Sequence, residues 1–127
     1  MAKNVLGVVA GLVVWMIVAT IAGLVLRVSW PAYERVAAAM TFTLPMMIVR
    51  LAIGAVATVA MGAASARVAR TRAATLAPGV LLVLFFIPVH VSLWHTFPVW
   101  YHLTFLVSLV PLTYAGGRLA GRNGIST

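Results

Sequence analysis

Arg50 is the residue in this sequence whose chemistry is hardest to explain by folding alone. It lies inside an apolar segment that begins at Leu44. If that segment is helical, Arg50 is about 9 Å below its end at ~1.5 Å per residue. A charge at that depth in a bilayer costs on the order of 2–3 kcal/mol unless something compensates it. Two interpretations stay open: the side chain reaches back to the interface, or it is a buried cation that binds an anion.

Negatively charged side chains are almost absent from the chain. Glu34 is the only Asp or Glu among 127 residues, so it is the only side chain that could form an ion pair with Arg50. A single carboxylate excludes a catalytic acid pair. The sequence also has no cysteine, P-loop, HExxH motif or nucleophile elbow. These absences favour a non-enzymatic protein.

Three histidines fall within thirteen residues and raise the question of a metal. A site would require His90, His95 and His102 to converge. On an ideal helix His90 and His95 point about 140° apart and differ by ~7.5 Å in depth. We therefore predict no metal site and no cofactor. His90 and His102 are the best candidate pair for haem, which stays open as an alternative.

Our candidate ligand site consists of polar and aromatic residues that lie toward the same end of the predicted apolar helices. A cation and hydrogen-bonding groups next to aromatic rings would suit an anionic or amphipathic ligand. The candidate ligand-binding residues are Glu34, Arg50, His90, Trp94, His95, Tyr101 and His102.

The elements that would position these residues follow from composition. Hydrophobic residues make up 64% of the chain and charged residues 8%, and the mean hydropathy is +1.13. Soluble domains carry about 25% charged residues, so this surface must face lipid. Four apolar runs, at about 5–26, 44–66, 76–94 and 101–117, are each near the ~20 residues that a membrane-spanning helix needs. We predict one all-α transmembrane domain, residues 1–127, that forms a four-helix bundle.

The basic residues predict the orientation of the bundle. If the spans alternate, six basic residues fall on one side and only Arg27 and Arg35, with Glu34, on the other. The positive-inside rule then places both termini in the cytoplasm, as in a bacterial inner-membrane protein. This bias also explains most of the +8 net charge, so we predict no nucleic-acid partner. The six residues are Lys3, Arg67, Arg70, Arg72, Arg118 and Arg122.

Two features mark the opposite, outer end. Six aromatic residues there are typical of an aromatic belt at the headgroups. They are Trp30, Tyr33, Trp94, Phe97, Trp100 and Tyr101. Residues 29–40 are either a short interfacial helix capped by Ser29 or an extension of the second span, kinked near Pro45.

Small residues at four-residue spacing predict where the helices pack, because lipid gives helices no hydrophobic reason to associate. The first stripe includes a GxxxG motif, and the second stripe lies on the next span, so the first two spans should pack closely. The predicted packing residues are Gly7, Gly11, Ala19 and Gly23 in the first span and Gly54, Thr58 and Gly62 in the second.

Three functions are compatible with these features. The first is a non-enzymatic accessory or scaffold subunit, whose sequence would encode little besides topology and packing. The second is a binder or transporter of a small anionic or amphipathic ligand, such as a lipid headgroup or a carboxylate. The third is a metal- or haem-binding membrane protein. The predicted partner is the lipid bilayer, and a homo-oligomer or a larger membrane complex stays open.

Overall fold

The described part of the chain folds into a bundle of four long helices and one short helix. The computed structural model describes residues 2–69 and 71–120, and Arg70 and Arg122 lie outside them. The four long helices are apolar and long enough to cross a membrane, which confirms the predicted all-α four-helix membrane bundle. The helices are α1 (Ala2–Ser29), α2 (Pro31–Ala37), α3 (Leu44–Val68), α4 (Arg72–Ser92) and α5 (Val99–Ala120).

The long helices do not coincide with the apolar runs at every end. Three of them begin two to four residues before the predicted apolar run, since the residues that precede the run are also helical. Local signals set some starts: the Thr71 hydroxyl accepts a hydrogen bond from the backbone N–H of Ala74 at 3.1 Å and caps α4. Pro45 lies in the first turn of α3, where a missing N–H costs nothing.

Residues 31–37 form a separate helix, α2, rather than an extension of α3. Pro31 lies in its first turn, as predicted, but the predicted cap is wrong. Trp30 takes the N-cap position, and Ser29 ends α1, where its hydroxyl donates to the Val25 carbonyl at 2.6 Å. Ser29 is therefore the last residue of α1. Trp30 leaves the helical conformation, with φ of −130° and ψ of 88°, because proline disfavours that conformation in the residue before it.

Helix α3 lies at the centre and contacts α5 at backbone distance. A Cβ atom added at Gly62 would overlap the carbonyl oxygen of Thr113, and one added at Gly116 would overlap that of Val59. Only glycine permits so close an approach. The same helix packs on α1, where a Cβ at Gly11 would lie 3.2 Å from Met61.

Helix α1 is tight against the bundle at one end and loose at the other. A Cβ at Gly7 would lie 2.7 Å from the Cβ of Ala69, whereas a Cβ at Gly23 would meet no atom within 4 Å. The small-residue stripe of α1 is therefore a packing surface near the N-terminus and the wall of an open space near Gly23.

Candidate ligand-binding cavity

Arg50 is held by two tyrosine hydroxyls from two other helices. Its Nε–H donates to the Tyr101 hydroxyl of α5 at 3.1 Å, and Nη1 donates to the Tyr33 hydroxyl of α2 at 2.7 Å. The side chain is only partly exposed and ends among protein groups. Within residues 2–69 and 71–120, three of the five guanidinium hydrogens remain free to bind another acceptor, since each bond uses one N–H.

Aromatic rings surround the guanidinium. Its carbon lies 4.6 Å from the ring centre of Phe42 and 5.9 Å from that of Phe97, within cation–π range. Phe97 also stacks on Tyr101 at 4.6 Å. Ring faces and phenol oxygens offer partial negative charge but no formal charge, so they hold the cation without neutralising it.

The burial of these rings corrects part of the aromatic-belt interpretation. Tyr33, Phe97 and Tyr101 are only 4%, 6% and 5% exposed, so they face the interior of the protein. Trp94 and Trp100, at 40% and 41% exposed, are accessible as a belt requires. An aromatic residue at the headgroups and one that surrounds Arg50 look the same in the sequence, so the sequence alone could not separate them.

Glu34 does not come near Arg50. It pairs with Arg27 at the exposed end of α1, where Nη2 of Arg27 donates to its carboxylate at 2.9 Å. The hydrogen bond from Arg27 holds the pKa of the Glu34 carboxyl below its usual range. Because Glu34 is the only acidic side chain of the sequence, no side chain of the protein supplies a countercharge to Arg50.

His90 and His102 meet directly in the interior. Their Nδ1 atoms are 2.6 Å apart, and the side chains are 8% and 0% exposed. Nε2 of His102 is 3.2 Å from the backbone carbonyl of Trp94. A carbonyl only accepts hydrogen bonds, so Nε2 of His102 carries a proton and its Nδ1 is bare.

This assignment fixes the second ring. Nδ1–H of His90 must donate to the bare Nδ1 of His102, which leaves Nε2 of a neutral His90 without a proton. Within residues 2–69 and 71–120, Nε2 of His90 has no hydrogen-bond partner. In the same residues every fully buried side-chain nitrogen or oxygen does have a partner, so Nε2 cannot be fully buried. Nε2 is therefore accessible and presents a free acceptor.

The other residues of the predicted site lie at the edge of this pair. Trp94 stacks on His102 with ring centres 4.8 Å apart. His95 is exposed, and in the described part of the chain no three His, Cys, Asp or Glu side chains come together. Both nitrogens of His102 are already engaged, so that ring has no nitrogen left for a metal or a haem iron.

Arg50 and His90 line one partly open cavity of about 230 Å³. Tyr101 links them, because its hydroxyl bonds Arg50 while its ring centre is 6.4 Å from that of His90. The rest of the wall is mostly apolar. It comprises Trp15, Ala19, Gly23, Tyr33, Ile53, Gly54, Phe86, Val89, Leu93, Phe97 and Phe105.

Small and aromatic residues together create this space. Ala19 and Gly23 line the cavity on α1, and Gly54 lines it on α3, where a Cβ would lie 3.2 Å from Phe105. Trp15, which also lines the cavity, donates from Nε1–H to the Thr58 hydroxyl at 3.1 Å and so links α1 to α3. The sequence predicted Ala19, Gly23, Gly54 and Thr58 as packing residues, and the structure gives the first three a cavity-lining position.

Sequence reasoning missed several lining residues. Phe86, Val89 and Phe105 are ordinary apolar residues whose spacing matches any lipid-facing or core position, so no sequence signal distinguishes them. Trp15 carried one signal, since an indole N–H in mid-span needs an acceptor.

The fold and the cavity define a multi-pass helical membrane protein with a cationic, aromatic-lined cavity between its helices. The chain matches no protein-family model, no curated protein and no solved structure.

Proposed function

We propose that this protein binds a small amphipathic anion in the cavity. One observation carries the proposal: the guanidinium of Arg50 lines a mostly apolar cavity, and the only acidic side chain of the sequence is bound to Arg27. A cation in an apolar site is costly unless it is paired, and a bound anion would pair it. The aromatic wall suits an apolar ligand body.

The volume limits the ligand. About 230 Å³ is below the roughly 300–1,000 Å³ of pockets for drug-sized molecules. A short-chain acid or one end of a lipid fits this volume, whereas haem does not.

The proposed setting is a bacterial inner membrane with both termini in the cytoplasm, because the basic residues are concentrated at one end of the bundle. The cavity then lies in the outer half of the membrane.

The test is native mass spectrometry of the gently purified protein and of an Arg50→Leu variant. We expect a co-purified anionic molecule on the wild type and its loss from the variant. Each lost hydrogen bond from a charged group costs about 1.5–3 kcal/mol, which weakens binding by about tenfold or more in Kd. Arg35→Leu is the matched control, because Arg35 is an exposed arginine of α2. It should leave occupancy unchanged.

Two other results would count against the proposal. Equal occupancy in the Arg50→Leu and wild-type proteins would show that the cation does not hold the ligand. A co-purified protein subunit without any small molecule would favour the accessory or scaffold function.

A further inference from the structure

We infer that the cavity takes up its ligand as a weak carboxylic acid, whose proton moves to Nε2 of His90 while the carboxylate binds Arg50. This inference rests on the proposed function and adds the ligand class and a proton acceptor. The O–H bond of the acid breaks, its electron pair stays on the carboxylate, and the proton forms an N–H bond on His90. The net charge of acid plus protein is unchanged.

The histidine pair is built to accept one proton from the cavity. Nε2 of His90 is bare, and protonation there leaves Nδ1–H in place to donate to Nδ1 of His102 at 2.6 Å. The bond from His102 to the Trp94 carbonyl is also kept. A second proton would have to enter between the two Nδ1 atoms and would break the pair, so the capacity is one.

The neighbouring charges couple this proton to the ligand. Among the described residues, Arg50 on α3 is the only charged side chain of the cavity wall, and its positive charge opposes a second cation at His90. A carboxylate on Arg50 removes that repulsion and attracts the imidazolium. The other titratable groups that face the pair are Tyr33 from α2 and Tyr101 from α5, and the described wall of α1 contributes none.

The membrane setting favours entry of the neutral acid. An ionised carboxylate is expensive to move through hydrocarbon, whereas a neutral acid partitions into it. Arg50 lines the cavity, and its guanidinium has N–H donors that the two tyrosines do not use and that can bind the carboxylate. Proton transfer to His90 then leaves a carboxylate between two cations, which is more favourable than a neutral acid beside one.

The experiment measures octanoate binding to the protein in lipid nanodiscs by calorimetry. Titrations at about pH 7.5, where octanoate is ionised because carboxyl pKa values are near 4, are run in phosphate and in Tris. The difference in heat gives the protons taken up. We expect about one proton per bound octanoate for the wild type and about zero for His90→Gln. Octanol, the uncharged isostere, should cause no uptake.

His95→Gln is the matched control, since His95 is exposed and lies outside the cavity. It should retain uptake of about one proton. A wild-type measurement keeps the test independent of variant folding: the Kd for octanoate should rise about tenfold per pH unit between about pH 7 and 8, around the pH at which one proton is taken up.

The outcomes separate the two proposals. Saturable octanoate binding that requires Arg50 but takes up no proton, or that keeps its proton uptake in His90→Gln, overturns the inference alone. A Kd for octanoate that does not change with pH also overturns the inference of proton transfer to His90 and leaves the proposed function standing. No saturable binding of octanoate to the wild type overturns the carboxylic acid as ligand class, and binding unaffected by Arg50→Leu overturns the proposed function as well.

Discussion

The residue that most constrains this molecule is Arg50, because its environment holds a positive charge without neutralising it. Two phenol hydroxyls and two phenylalanine faces supply partial charges. Hydrogen bonds to charged groups contribute roughly 1.5–3 kcal/mol each, more than neutral ones. The free protein can therefore fold around the cation and still keep donors for a ligand.

Tyr101→Phe tests the contribution of one of these hydroxyls. We expect the free energy of unfolding to fall by about 1–2 kcal/mol, because the bond from Arg50 is lost while the ring remains. Stacking on Phe97 does not depend on the hydroxyl. Denaturation of the purified protein in mixed detergent measures the change.

Tyr114→Phe is the matched control for that substitution. Tyr114 also accepts a hydrogen bond from an arginine, Arg118, but it is exposed. Its loss should not change stability measurably, because exposed charged contacts contribute little. An equal loss in both variants would show that Tyr101 is not specially coupled to Arg50.

At the scale of the helices, glycine performs two distinct tasks. Gly62 and Gly116 allow the backbones of α3 and α5 to touch, whereas Gly23 on α1 faces the cavity and touches nothing. Gly23 and Gly62 both belong to predicted stripes of small residues typical of helix packing, whereas Gly116 was not predicted. The task of each glycine depends on whether backbone atoms of the neighbouring helix lie against it.

Alanine substitution distinguishes the two tasks. Gly62→Ala should lower the free energy of unfolding by about 2–3 kcal/mol, because the new methyl group overlaps a backbone oxygen that cannot rotate away. Gly23→Ala should be neutral or stabilising by up to about 1 kcal/mol, since alanine favours the helix. Equilibrium unfolding in detergent compares the two variants, and equal losses of unfolding free energy would contradict the close packing of α3 on α5 at Gly62.

At the scale of the whole molecule, the two ends of the bundle differ in kind. One end carries arginines around Tyr114, with Arg72 and Arg118 5.7 and 5.9 Å from its ring centre. The other end carries the cavity, the histidine pair and the bridge between Arg27 and Glu34. The orientation in the membrane therefore decides which compartment faces the cavity.

Cysteine labelling tests that orientation cleanly, because the sequence has no native cysteine. Thr96→Cys lies between α4 and α5, and Ala73→Cys lies in the first turn of α4, and both positions are exposed. With both termini inside, a membrane-impermeant maleimide should label Thr96→Cys in spheroplasts and Ala73→Cys only after permeabilisation. The reverse pattern would invert the predicted topology.

Much of the fold could be predicted from the sequence because its signals are local. The length of an apolar run determines that it can cross the bilayer as a helix, since the backbone must satisfy its own hydrogen bonds in lipid. The same reasoning identified Arg50 as unusual, because a charge within an apolar run is costly wherever the helix packs. The glycine stripes likewise indicated which faces are small.

Only the tertiary structure decided how these residues combine. Arg50 and Tyr101 are 51 residues apart, and His90 and His102 are 12 apart on different helices. Their contacts depend on the rotation and depth of each helix. Backbone approach at Gly62 and Gly116 sets these for α3 and α5, and Gly79 of α4 lies close against Thr113 of α5. An apolar sequence specifies such rotations weakly, because every face of each helix is compatible with lipid. The sequence therefore determined that a cation lies within one apolar segment of a four-helix bundle. Packing determined that this cation is held in the interior and faces a cavity beside a histidine pair.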